Sequence, residues 1–156
     1  MTDHTQYPEE YQALYAQLDV DPLDMDNQLM KLPHLVQDAS ELAVSAENAM
    51  NAASLAYDCV KAQLAEALRS QNEKITEASI ERSLPLYEDI QEARNALNHA
   101  KTYMRLCEDL VRALRIKSQH VLKSADMIMS GYMTPSAAYE RRRAEINAAR
   151  QTAKRS

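Results

Sequence analysis

Between residues 33 and 70 the apolar side chains alternate by three and four without a break: Val36, Ala39, Ala43, Ala46, Met50, Ala53, Tyr57, Val60, Leu64 and Ala67. This is the seam of one long helix, and a second row, Leu35, Leu42, Ala49 and Ala56, runs beside it at seven-residue intervals. At about 1.5 Å per residue such a helix is roughly 57 Å long. No small core buries an element of that length, so the helix needs a partner as long as itself.

The partner lies beyond "SQNEKITEASIERSLP". Thr76 is placed to cap a short helix through Ile80, and Pro85, after Ser83 and Leu84, suits the start of a second long helix, where a missing N–H costs nothing. From there Leu86, Ile90, Ala93, Leu97, Ala100, Met104, Cys107, Val111, Leu114, Val121, Ala125 and Ile128 continue the seam, with Ser118 its one polar member. Tyr103, Leu106, Leu110 and Ala113 flank it, and Gly131, the only glycine, is expected to end the helix. Matched seams and a short connection predict an antiparallel helical hairpin over residues 33–131. Folding about residue 77 sets Ala46 near Cys107 and leaves Cys59 about 20 Å away along the axis, which predicts two free thiols. Five of the ten first-helix seam residues are alanine, so the axes approach closely but little area is buried. The flanking rows then need cover from other elements or other copies, and a homo-oligomer is expected.

The rest of the chain fits an all-α class: there is one glycine, no tryptophan and no phenylalanine, and strand signals are absent. Residues 1–32 are expected to form short acidic helices, one over 8–18 with Tyr11, Leu14, Tyr15 and Leu18 on its apolar face, another ending at Pro33. Residues 132–156 are expected to form a basic C-terminal helix or tail, capped by Thr134 and Pro135 and polar nearly all round. No run approaches eighteen apolar residues and no secretory signal opens the chain, so a soluble intracellular protein with no membrane partner is expected.

The net charge of -5 conceals an asymmetry. Residues 1–30 hold seven Asp/Glu and no Lys/Arg, while residues 101–156 hold twelve Lys/Arg against five Asp/Glu. With Ile90 at heptad position a and Ala93 at d, Arg94, Lys101 and Arg115 fall at e and Arg105 and Arg112 at b. Five cations thus share one flank of the second long helix, interrupted by Glu108. Lys117, Lys123 and the run Arg141, Arg142 and Arg143 complete the candidate set. One reading pairs these cations with the acidic flank of the first helix or with Asp21, Asp24 and Asp26. The other is a phosphate-tracking surface, with Tyr103 and Tyr132 as stacking platforms for unpaired bases.

Catalysis finds no support in the sequence. His4, His34, His99 and His120 stand alone, without HxxxH, HExxH or ExxH spacing to set ligands on one helical face. There is no glycine-rich phosphate loop and no recognisable nucleophile setting. No enzyme, cofactor or metal site is expected.

Two stretches, "LDVDPLDMDNQLMKLPHLVQDASELAVSAENA" and "EKITEASIERSLPLYEDIQEARNALNHAKTYMRLCEDLVRALRIKSQHVLKSA", resemble the phage recombination mediator proteins of the UvsY type. The shared pattern is an acidic head ending near a proline, a long alanine-rich helix, a polar K-x-T-E-A-x-I turn, and a second helix through A-L-x-x-K-x-x-x-L. Here the last motif reads Ala113, Leu114, Lys117 and Val121, with valine in place of the final leucine. The resemblance spans about residues 19–127; Leu84-Pro85 replaces the Asp-Pro of many relatives, and the tail after Gly131 has no counterpart, so its arginines inherit no role. The resemblance implies a small helical protein of the phage-infected bacterial cytoplasm that forms a ring-like homo-oligomer and binds single-stranded DNA. It would help a RecA-type recombinase replace single-strand-binding protein. The competing expectation is a helical scaffolding protein that oligomerises through the same seams and binds only protein.

Overall fold

A computed structural model of the chain describes residues 7–20, 24–71, 75–130 and 144. Its elements are all helical: α1 (Glu9–Tyr15), α2 (Met25–Gln71), α3 (Glu77–Ser83) and α4 (Glu88–Met129), with 3-10 turns at Ala16–Leu18 and Leu84–Leu86. The expected all-α class, built on a hairpin of two long helices, is the one the chain adopts. The C-terminal helix expected over residues 132–156, and Gly131 as its separator, lie outside the described residues apart from residue 144.

Two helix starts differ from the sequence expectation. The short helix ending at Pro33 and the long helix beginning there are one continuous helix from Met25, with Pro33 inside it. An interior proline removes the hydrogen bond to the carbonyl four residues earlier, here that of Leu29, at a cost of about 3 kcal/mol. The offset comes from the segment the proline was expected to cut off. Met25 and Leu32 are buried with Val121, and Leu29 packs against them. Burying an aliphatic side chain contributes about 1.5–3 kcal/mol, so two such residues suffice. Asp24 marks the start: its carbonyl accepts the Gln28 N–H at 3.1 Å and its carboxylate accepts Asn27 Nδ2 at 2.8 Å. At the other helix, Pro85 lies in the 3-10 turn and α4 begins three residues later, which leaves the expected seam residue Leu86 79% exposed.

Packing divides the chain into two compact units, Met1–Ala39 with Leu110–Ser156, and Ser40–Asp109. In the first, α1 buries Tyr11 and Leu14 of the expected apolar face, while Tyr15 is exposed and Leu18, in the 3-10 turn that follows, is half-buried. Tyr7 meets Tyr11 edge-on at 5.6 Å between ring centroids, Tyr15 stacks on Tyr11 at 6.0 Å, and Gln12 Nε2 donates to the Tyr7 carbonyl at 2.7 Å. Ala39, Leu114 and Val121 supply the buried seam of this unit, and Leu110 of the flanking row is buried as well.

In the second unit Ile80, Leu84 and Ile90 form the core of the turn, and Tyr57, Val60, Leu64 and Leu68 of α2 pack on them. Thr76 caps α3 as expected, its side chain accepting the Ser79 N–H at 3.3 Å. Arg69 near the end of α2 grips Glu77 of α3 with two hydrogen bonds of 2.9 and 3.0 Å. Those bonds raise the arginine pKa and hold the Glu77 carboxyl below the usual range. Ala46, Leu97 and Cys107 are buried along the seam. Both cysteines are free thiols, Cys59 exposed and Cys107 buried.

Candidate nucleic-acid interface

Helix α4 carries most of the candidate cations because its apolar residues recur every three or four positions and leave the intervening flank polar. In the second unit that flank presents Arg94, Lys101 and Arg105, all exposed. None of the three makes an ion pair with another described residue, so the expected pairing with the acidic flank of α2 is not found for them. Their spacing of seven and then four residues keeps them on one side of the helix, with ammonium and guanidinium groups in water. Solvated cations of this kind meet phosphate without first breaking an internal ion pair.

In the first unit Arg112, Arg115 and Lys123 are exposed and Lys117 is not. Lys117 is 7% exposed, and its Nζ donates to the backbone carbonyls of Gln17 at 2.6 Å and Asp19 at 2.5 Å. Burial pushes its pKa down, and the Asp19 charge pulls it partly back. An ammonium held by two carbonyls on a largely buried side chain has one remaining N–H and little access to solvent, so Lys117 leaves the candidate set and becomes a tie for the segment after α1. The physical reason is its position: it immediately precedes seam residue Ser118, where a long side chain is drawn toward the neighbouring segment.

Tyr103 was the nearer of the two expected stacking platforms. It is half-buried with its hydroxyl oxygen out of contact with solvent, so it packs rather than offers an open ring. Its hydroxyl works against the burial that raises the Cys107 thiol pKa, and Cys107 remains an inert core thiol. Tyr132 and the run Arg141, Arg142 and Arg143 lie outside the described residues.

The candidate set omits a cation that the structure places beside it. Lys61 of α2 is exposed and lines the same cavity as Arg94 of α4. Its sequence signal is its place directly after seam residue Val60, on the edge of the seam. Only the return of α4 makes it a neighbour of Arg94.

Among the described residues no group of three His, Cys, Asp or Glu side chains is placed to hold a metal ion. No described helix is long and apolar enough to cross a membrane. Comparisons with protein-family models, with curated proteins and with solved structures find no match.

Proposed function

We propose that this protein binds single-stranded DNA without acting as an enzyme, and serves as a recombination mediator that helps load a RecA-type recombinase in exchange for single-strand-binding protein. The observation that carries the reading is the exposed set Arg94, Lys101 and Arg105 on one side of α4, with no carboxylate partner among the described residues. A mediator has to hold a strand and let it go, which favours several solvated phosphate contacts over one deep pocket. Assembly into a homo-oligomeric ring would repeat those contacts and raise avidity without new chemistry in any subunit. The UvsY-type resemblance of residues 19–127 supports the recombination role, and the lean alanine seam of α2 supports the oligomer.

The test is fluorescence anisotropy of a labelled poly-dT strand, from low to physiological salt, beside a duplex of equal length. Binding that prefers the single strand and weakens steeply with salt is the expected result. No binding at low salt would overturn the proposal and leave the scaffolding alternative, in which the same seams assemble copies that contact only protein.

A further inference from the structure

Inside the second unit, α2, the α3 turn and the start of α4 line a half-open cavity of about 320 Å³. Its walls include Tyr57, Lys61, Glu81, Leu84, Pro85 and Arg94. We propose that this cavity is a subsite for one unpaired nucleotide of the bound strand, its base on Tyr57 and its phosphate between Lys61 and Arg94. The inference rests on the single-stranded DNA reading and specifies where a base is taken up.

Three features argue for this ligand class. The first is the ring. Tyr57 packs on the Ile80, Leu84 and Ile90 core and, unlike Tyr103 with its buried hydroxyl, lines an open cavity, so its packing orients it before any ligand arrives. A fixed aromatic surface loses little entropy when a base stacks on it, and stacking tolerates any base. Leu84 and Pro85 supply the apolar remainder of the wall.

The second feature is charge. Lys61 and Arg94 come from different helices, are both exposed, and make no ion pair with any described residue, although Glu81 lines the same cavity. Two cations against one carboxylate leave a net positive charge, which suits a phosphodiester. Glu81 then serves as an acceptor for a base N–H, as carboxylates do toward base amino groups. Gln91 is held in place by its Nε2 bond to the Pro85 carbonyl at 2.9 Å, which leaves its amide oxygen as a second acceptor.

The third is size. The volume lies at the lower end of the range of about 300–1,000 Å³ for small-ligand pockets. One nucleotide enters such a space; a base pair inside a duplex does not, because its base edges are held in the stack. The cavity would therefore supply strand selectivity, while Lys101 and Arg105 supply sequence-independent affinity.

The experiment compares the full chain's binding to a labelled oligo-dT and to an abasic deoxyribose-phosphate oligomer of the same length and charge. The wild type is expected to prefer oligo-dT by roughly fivefold or more, the scale of one base–aromatic stack. Tyr57→Leu should remove that preference and leave the salt dependence of oligo-dT binding unchanged, whereas Lys61→Gln should weaken binding to both oligomers. A second measurement needs no variant: photocrosslinking of 5-iododeoxyuridine in the strand should mark Tyr57 in the wild-type protein. If the wild type binds both oligomers equally, or crosslinks fall only on other tyrosines, strand binding stands as backbone tracking and the base subsite is overturned. If the wild type binds neither oligomer, the single-stranded DNA reading itself fails and takes the subsite with it.

Discussion

Two lysines of α4, one in each unit, are used in opposite ways. In the second unit Lys101 stands in solvent with Arg94 and Arg105, while in the first unit Lys117 is buried with its ammonium on the Gln17 and Asp19 carbonyls. The residue type and the helix are the same. The difference is the neighbour: the segment after α1 offers Lys117 two carbonyls, and Lys101 at heptad position e has no such segment over it. A basic residue on an amphipathic helix is therefore a ligand-binding group or a structural tie according to what covers it, and its charge alone does not decide between them.

The strongest test of the division into units is core truncation. Ile80→Ala in the turn and Leu32→Ala in the first unit should each cost about 2–5 kcal/mol, read by urea denaturation. With circular dichroism as the global probe and thiol labelling of buried Cys107 as a local one for the second unit, Ile80→Ala should expose the thiol earlier than Leu32→Ala does. Equal labelling in the two variants would mean that the units unfold as one.

Pro33→Ala is expected to stabilise the protein, by up to about 3 kcal/mol, because it restores the hydrogen bond to the Leu29 carbonyl and removes the ring clash. A lower melting temperature would show instead that α2 depends on a kink at this position.

Lys117→Met should cost about 1–3 kcal/mol by leaving the Gln17 and Asp19 carbonyls without their donor. It should leave oligo-dT affinity close to wild type, whereas loss of DNA binding in a folded Lys117→Met protein would return Lys117 to the interface. The pH dependence has a definite sign. The folded pKa of Lys117 lies below its ordinary value of 10.5, so at alkaline pH between the two values the unfolded chain binds more protons. Wild-type stability should thus rise relative to Lys117→Met as pH climbs through that window, and a fall would overturn the account of a desolvated ammonium. The neutral amine keeps two N–H donors for the two carbonyls.

Thr76→Ala should cost about 1 kcal/mol through loss of the α3 cap, read from the denaturation midpoint. The smallest effect on stability is expected from Arg105→Ala, within about 0.5 kcal/mol for an exposed residue. Its effect on binding is larger in kind: loss of one phosphate contact should lower the slope of log affinity against log salt by about 0.7. An unchanged slope would remove Arg105 from the interface.

The sequence determined the helices and the seam, and did so through periodicity. A three–four alternation has one compatible conformation, and Ala39, Ala46, Ile90, Leu97, Cys107, Leu114 and Val121 of that seam are buried, while most of its other members are half-buried and Ala67 and Leu86 are exposed. Thr76 was legible as a cap because a threonine before a helix satisfies N–H groups that nothing else reaches. Pro33 misled because local rules give its cost without the burial of Met25 and Leu32 that offsets it. Only the tertiary structure decided which cations are available, since exposure is a property of what lies opposite. It took Lys117 out of the candidate set by laying residues 17 and 19 across it, and it brought Lys61 to Arg94 by returning the chain through the turn at α3. Periodicity is written along one helix; proximity across a hairpin depends on two segments at once, and no single segment encodes it.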